Sequence, residues 1–540
     1  MAKLPQNPTI SLQILIFFHH LTLLLSQTTD YPILNCLTNH KITNFSLHPN
    51  SNHPSSIHYN HLLKFSLQNL RVAKESTPKP TAIILPHTKE QLSTSVLCCR
   101  RSAQEIRIRC GGHSYEGMSS IPRGNTPFVI IDMMNLNRVM VDLESETAWV
   151  EGGATLGELF SAIAVQSSYY GFPAGVGPTV GVSGHISGGG IGVMTRKYGL
   201  SADNVLDVGL IDAEGRVMGR AEMGEEVFWA LRGGGGGNWG VVYGWKVQLV
   251  HVPKRVTGFS VTKQGPIHEL AKLIHKWQFV APYLDDGFHI SVYITSSTRK
   301  EVYATFKGFY LGPKTEAIDI IDEQYPELKI DKEEYLEMSW IESVLYFSGL
   351  PKGSTTQDLK SRYWSNKSYF KTKSDYVREH VPIEGLEGAL EIIASEPTGL
   401  MLLDPYGGIM DRISNDSIAF PHRKGNVYNI LYASFWGEEE EEEEDRCLSW
   451  VRSLYDYMTP FVTSNPRAAY VNYIDLDLGT IDFTVNNDDN VVEKARVWGE
   501  KYFLGNYDRL VKVKNVIDQQ NVFSHKQGIP SSSVQTHDEL

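Results

Sequence analysis

The sequence predicts an α+β fold of at least two domains, and three observations carry that expectation. The chain has 540 residues, more than one hydrophobic core organises. From about residue 76 to 252, short β-branched runs such as 128–132, 147–150 and 205–212 alternate with glycine turns and helical segments. From about 253 onward the texture changes. Runs 256–261, 288–294 and 303–310 read as strands of an antiparallel sheet, with helical segments such as 267–279 between them.

Taken in order, residues 1–27 read as a secretory signal. Lys3 supplies a weak positive start, and the apolar run 10–25 is too short and too interrupted, by His19 and His20 among others, for a good membrane span. An N-terminal anchor is the alternative. Residues 28–75 begin with a short apolar helix and continue rich in Asn, His and Ser, as a cap on the domain that follows. Residues 76–252 form the first domain, 253–475 the second, 476–530 a C-terminal segment, and 531–540 a tail. That tail ends His537-Asp538-Glu539-Leu540, a retention signal for the endoplasmic reticulum at the end of a secreted chain. The two ends together predict the reticulum lumen, with a secreted or vacuolar protein as the alternative. Sequons at Asn44, Asn366 and Asn415 agree with a glycosylated lumenal chain.

Composition narrows the partners. A hydrophobic content of 41% and charged content of 21% are those of a globular protein. The net charge of −12 argues against nucleic acid and anionic membrane. The five cysteines, at 36, 98, 99, 110 and 447, are too few for a disulfide scaffold, although one pair suits an oxidising compartment. His268, Glu269 and His275 do not make a zinc site, since a helical pair needs a spacing of four and the two histidines are seven apart. The acidic run 438–444 followed by Asp445 reads as a solvated, self-repelling loop. No metal site is expected. A triphosphate-binding G-x-x-x-x-G-K-[ST] is absent, as is a G-x-G-x-x-G strand–turn–helix unit.

The chemistry is organised around segment 107–117, RIRCGGHSYEG. Gly111 and Gly112 let the backbone approach a ligand closely, and consecutive N–H groups in such a turn suit a pyrophosphate. His113 follows on the same loop, where an imidazole could bond covalently to a bound dinucleotide. Three more glycine-rich stretches follow: Gly152-Gly153, residues 173–192 (PAGVGPTVGVSGHISGGGIG) and residues 232–240 (RGGGGGNWG).

These four motifs, in this order, resemble the berberine bridge enzyme-like flavoproteins of plants over about residues 79–530. The resemblance implies an FAD-binding domain of the vanillyl alcohol oxidase (PCMH) type at 76–252. It also implies an antiparallel-sheet substrate domain with helices on one face, and a C-terminal segment returning to the flavin domain. It makes His113 the covalent flavin ligand. Gly111, Gly112, Ser114, Val180, Gly181, Gly184, Gly188, Gly189, Gly190 and Gly192 become cofactor-binding positions. His185 falls near the flavin N1–C2 edge, as a positive or hydrogen-bonding group. It pairs Cys36 with Cys98, with Cys99 as competing partner. Relatives carry a second flavin bond through Cys in G-x-C-P-T-x-G; here the stretch reads Gly175-Val176-Gly177-Pro178-Thr179-Val180-Gly181, so Gly177 leaves single attachment, a more open ring face and a lower potential. A small residue at Val180 resembles oxygen-using members.

Tyr473, in Asn-Tyr-Ile-Asp-Leu-Asp, and Tyr115 match active-site tyrosines of relatives. A free tyrosine titrates near 10, so a phenolate base needs positive neighbours. Relatives place Glu, Gln or Lys on the strand around 428–432, where this chain has Asn429 and Leu431 and no carboxylate. The function implied is a monomeric FAD oxidase of alkaloid or prenylated-phenol metabolism, using O₂ as acceptor. The alternatives are a carbohydrate or monolignol oxidase, a flavin-bound cyclase without net oxidation, and a binding or storage protein without flavin chemistry.

Overall fold

The computed structural model describes residues 32–49, 58–297, 299–437, 441–481 and 490–532. The expected signal segment and the His537–Leu540 retention signal lie outside the described residues. Among the described residues no helix is long and apolar enough to cross a membrane.

The first domain is built on two sheets. Strands β1 (Phe45–Leu47), β2 (Ala82–Ile84), β3 (Glu105–Arg109) and β4 (Phe128–Asp132) align in the order β1-β2-β4-β3. β2 and β3 run parallel to β4, and β1 joins β2 antiparallel as the edge. All five residues of β4 are buried, which is why this strand reads as an unbroken apolar run. The segment expected as a cap therefore contributes a strand to the first sheet as well as covering it.

The second sheet begins with β5 (Val139–Asp142) and β6 (Thr147–Glu151). The short β7 (Tyr170–Gly171) leaves it, and β8 (Val205–Ile211), β9 (Val217–Met218) and β10 (Val241–Gln248) complete it in the order β5-β6-β10-β8-β9. β11 (Val250–His251) then pairs with β7.

The second domain is one seven-stranded antiparallel sheet. Its strands are β12 (Val256–Gln264), β13 (Phe288–Ser296), β14 (Val302–Tyr310), β15 (Leu336–Met338), β16 (Tyr369–Val377), β17 (Gly399–Pro405) and β18 (Tyr428–Trp436). Their order is β15-β12-β14-β13-β17-β18-β16. Helices Ile267–Val280, Ile383–Ala394 and Glu441–Tyr457 pack on one face around Trp277, Leu390, Val451 and the inward residues Ile290, Val292, Ile294, Leu403 and Ile430. Because side chains alternate along a strand, Tyr293, Leu402, Asp404, Asn429 and Leu431 fall on the other face.

The C-terminal helices Val491–Phe503 and Tyr507–Ile517 return to the first domain. Trp498, Tyr502 and Leu510 share a core with Trp239 and Ala230, and the buried Lys514 Nζ donates to the Asn238 and Phe523 carbonyls. The two domains are also riveted by Arg196. Its buried guanidinium donates to the carbonyls of Pro282 (2.9 Å), Leu284 (2.8 Å) and Tyr406 (2.9 Å).

One expectation needs correction. The described part of the acidic run is not a free loop: residues 441–445 open the helix Glu441–Tyr457, and Glu444 is paired to Arg71 and Lys74, while 438–440 lie outside the described residues. Carboxylates in a first turn meet the positive end of the helix and the nearby cations, which offsets their mutual repulsion.

Cys36 on the helix Pro32–Asn39 is bonded to Cys98 on the helix Lys89–Arg101, while Cys99 is buried and free. The bridge spans 62 residues, for which loop-closure entropy gives a stabilisation of about 4 kcal/mol. Replacing both cysteines, Cys36→Ser with Cys98→Ala, should lower the unfolding free energy by about 2–4 kcal/mol in urea titrations. An unchanged midpoint would show that packing alone holds the N-terminal helix.

Candidate active site

The glycine-histidine loop leaves β3 under tight control. Arg109, the last residue of β3, is fully buried, pairs with Asp132 at 2.7 Å, and donates to the carbonyls of Leu62 (2.7 Å) and Leu63 (3.0 Å). The loop is therefore pinned to the preceding helix before it turns. Gly112 has φ +70°, and a Cβ there would sit 1.8 Å from the Ser66 carbonyl oxygen; a Cβ on Gly111 would meet Gly181 N at 2.4 Å. Neither position admits a side chain.

His113 is half-buried, with Nε2 2.8 Å from Thr179 Oγ1. Burial, with a contribution from the Lys367 charge, holds its imidazole down at about 4. The ring is thus unprotonated at neutral pH, the state in which an imidazole nitrogen is a nucleophile. Ser114 Oγ accepts from Met118 N at 3.0 Å and shapes the turn, and its hydroxyl proton is left to donate elsewhere.

The glycines of segment 173–192 divide into two kinds. A Cβ on Gly188 would strike Asn472 Oδ1 at 2.1 Å, on Gly189 the Phe420 ring at 2.9 Å, on Gly190 Ser201 Oγ at 2.6 Å, and on Gly192 the Ala174 carbonyl oxygen at 1.9 Å. Gly181 packs against Gly111 and Cys110. These five are required for protein-on-protein packing. Gly184 is exposed with open space where a Cβ would point, and Gly236 and Gly237 are exposed likewise. The two open stretches are neighbours, since Gly235 N donates to Ser187 O at 2.8 Å. At Gly177 a Cβ would meet only Val180 Cγ2, at 3.1 Å. Bare backbone at Gly184, Gly236 and Gly237, with an unprotonated imidazole at His113, fits an extended dinucleotide such as FAD.

His185 takes a definite state. Gly175 N donates to His185 Nε2 at 3.1 Å, so the proton of the neutral ring is on Nδ1. Burial holds it down at about 4. In this state its Nδ1–H is a hydrogen-bond donor. Asn472 fixes the same region, donating from Nδ2 to the His185 carbonyl and to Tyr470 Oη, each at 3.0 Å.

Tyr115 and Tyr473, 358 residues apart in the chain, are stacked, with ring centroids 5.4 Å apart and planes 11° apart. Phe370 of β16 meets Tyr115 edge-on at 5.5 Å, and Tyr470 meets Tyr473 edge-on at 4.8 Å. Burial pushes both phenols well above their usual value, and Asp404 adds to the shift. Burial and the negative neighbour both favour the neutral phenols, and no positive group stands among the causes of either shift.

The pair is held by a buried ionic knot. Lys371 of β16 bonds Glu116, adjacent to Tyr115, and Asp475, two residues beyond Tyr473, the latter at 2.7 Å. Lys373 joins Asp475 at 2.6 Å and Asp477 at 3.1 Å, and Arg452 closes on Asp477 at 2.9 Å. Burial works against the Lys371 charge, but Asp475 and Glu116 outweigh it and raise its affinity for the proton.

Thr179, Tyr470, Asn472 and Asp404 were not singled out in the sequence. Thr179 and the 470–473 cluster lie beside motifs that were, but Asp404 carried no signal. The absence of a carboxylate on β18 stands, yet Asp404 of β17 is paired in register with Asn429 of β18. Asn366 and Asn415 are exposed; Asn44 is half-buried, its amide donating to the Leu85 carbonyl at 2.8 Å.

Comparisons with known proteins agree with this geometry. Residues 80–219 match the family model "FAD binding domain", and residues 469–530 match "Berberine and berberine like". The chain is 54% identical to berberine bridge enzyme-like D-2 of Nicotiana tabacum, over 94% of this chain and 92% of that one. It is 49% identical to reticuline oxidase of Eschscholzia californica, over 92% and 91%. The solved structure of berberine bridge enzyme from Eschscholzia californica superposes with TM-score 0.89 at 47% identity, covering 93% of this chain and all of that one. A grass pollen allergen with glucose dehydrogenase activity superposes with TM-score 0.86 at 37% identity, covering 92% and 99%.

Two measurements test the electrostatics. Lys371→Met leaves Glu116 and Asp475 buried without their shared cation and should cost about 3–5 kcal/mol in chemical denaturation; a loss under about 1 kcal/mol would deny the knot its structural role. His185, His422 and His525 are held down at about 4, 3 and 3 by burial, so the unfolded chain binds more protons than the fold between those values and about 6.5. Stability should therefore fall as pH drops from about 6.5 toward 4, by up to about 1.4 kcal/mol per pH unit for each histidine. His422→Gln should reduce the slope of the urea midpoint in that window by one proton, and an unaltered slope would contradict the assignment.

Proposed function

The chain belongs to the berberine bridge enzyme-like family of FAD-linked oxidoreductases, and we propose that it is an oxidase holding FAD through a single covalent bond at His113. The observation that carries this reading is an unprotonated, half-buried His113 together with exposed glycine backbone at Gly184, Gly236 and Gly237, while position 177 offers no thiol. Gly184, Gly236 and Gly237 would take the extended part of the cofactor, and His185 would donate a hydrogen bond to the ring edge. Bound FAD supplies the hydride acceptor at N5, with O₂ taking the electron pair on as hydrogen peroxide.

The chain's own groups set the substrate. Tyr115, Tyr473, Phe370 and Tyr293 make an aromatic wall, which favours an alkaloid or a prenylated phenol over a sugar. Tyr115 and Tyr473 orient the substrate as neutral donors. Val180, lining the Gly177 side, is small enough to leave O₂ access to the ring. A reticuline oxidase and a structure of a berberine bridge enzyme variant with bound (S)-reticuline are among the relatives, which supports a nitrogen-containing aromatic substrate. The glucose dehydrogenase activity of the pollen allergen supports the carbohydrate alternative. A cyclase without net oxidation is separated from both by product mass, since oxidation removes two hydrogens. The reading includes a glycosylated monomer in the lumen of the endoplasmic reticulum.

The test is the spectrum of the denatured protein together with its intact mass, with His113→Ala as control. A yellow denatured chain, heavier by one FAD, with the covalent fraction abolished in the variant, is the expected result, followed by peroxide release with an aromatic amine or phenol. Flavin that washes off the wild-type chain would overturn single attachment.

A further inference from the structure

We propose that Asp404 and Asn429, side by side on the face of the seven-stranded sheet opposite its helices, form a subsite for the cationic nitrogen of a protonated amine bearing a neighbouring oxygen. The inference deepens the oxidase reading and rests on it for the word substrate, though not for the binding itself.

The carboxylate is oriented but not neutralised. Ser291 Oγ donates to Asp404 Oδ1 at 2.6 Å, and His289 Nε2 lies 2.8 Å from the same Ser291 oxygen. A hydroxyl has one proton, and Ser291 gives it to Asp404, so His289 Nε2 must carry a proton and donate. The other ring nitrogen, Nδ1, is buried without a hydrogen-bond partner. The relay His289–Ser291–Asp404 thus aims the carboxylate through a hydroxyl. Among the described residues no Lys or Arg forms an ion pair with Asp404, and His289 Nε2 is 3.6 Å from it. Lys307 on the same face lies over the Tyr293 ring, 4.2 Å from its centroid.

The second unmet group is its neighbour. Asn429 pairs with Asp404 in the β17–β18 register and is 1% exposed, and its Nδ2 has no acceptor. A buried amide donor without a partner costs about 1–3 kcal/mol, and an uncompensated carboxylate costs more. Two such demands on adjacent strands, one for a positive donor and one for an acceptor, are met together by an ammonium with an adjacent hydroxyl or ether oxygen. Asp404 is still reachable, its side chain being 16% exposed. It also lies close enough to the hydroxyls of Tyr115, Tyr293 and Tyr473 to disfavour their ionisation, after burial itself. Phe370, which meets Tyr115 edge-on, stands on the same face of the sheet as Asp404 and Asn429, so the carboxylate lies on the side that carries the tyrosine pair, whose rings would add cation–π attraction.

The test compares N,N-dimethylbenzylamine, protonated at pH 7, with its neutral isostere isobutylbenzene, titrated into the purified holoprotein by calorimetry. The wild-type chain should bind the cation at least tenfold more tightly, and Asp404→Asn should abolish that preference while leaving the neutral ligand's affinity unchanged. Asn429→Leu should weaken an ortho-methoxy derivative of the amine more than the parent amine. Equal affinity for amine and isostere in the wild-type chain would overturn the subsite, whether or not any variant folds. Because binding is read as heat, absence of peroxide release would count against the oxidase reading without touching this result.

Discussion

Lys371 is the hinge of the molecule's logic. A single ammonium, almost fully buried on the edge strand β16, is shared by Glu116 from the glycine-histidine loop and Asp475 from the C-terminal return. Those two carboxylates adjoin the residues that matter, Tyr115 and Tyr473. An ionic knot in a low-dielectric interior is directional and intolerant of a missing partner, so it fixes register more than it adds stability. Here it converts three remote chain segments into one stacked pair of rings. Without it, the flavin-binding loop, the sheet and the returning segment would each be folded locally but not aligned with one another.

The glycine-rich stretches serve two opposed needs. Gly188, Gly189, Gly190 and Gly192 are absent side chains where protein meets protein: Asn472, Phe420, Ser201 and the Ala174 carbonyl fill the space. Gly184 is an absent side chain where nothing of the protein lies within 4 Å, and at Gly236 and Gly237 a Cβ would make only ordinary contact, with Ser187 and His525. The first group builds a rigid wall, and the second leaves backbone N–H groups at its surface. A motif read only as cofactor-binding merges the two, because both needs select the same residue type.

Electrostatics in the site is governed by burial more than by charge. Burial favours the neutral form of His113 and of His185, and it holds the tyrosines as phenols. The uncompensated charge facing them is Asp404. Strand β18 carries Asn429 and Leu431 and no carboxylate on this face, and the neighbouring strand β17 supplies one at Asp404. A sheet permits this exchange because residues in register on adjacent strands stand about 5 Å apart and point the same way.

Much of this was legible in the chain itself. The four ordered glycine motifs identified the flavin fold, the runs 256–261, 288–294 and 303–310 marked three strands of the second domain, and the replacement of Cys by Gly177 needed no coordinates. Those are properties of contiguous segments, where spacing is set by local backbone geometry. The stacking of Tyr115 on Tyr473, the knot at Lys371, the relay from His289 to Asp404 and the unpartnered Asn429 amide became visible only in three dimensions. So did the pairing of Glu444 in what read as a loose acidic loop. Each depends on which strands are neighbours and in what register, and that is decided by long-range packing of residues separated by tens to hundreds of positions.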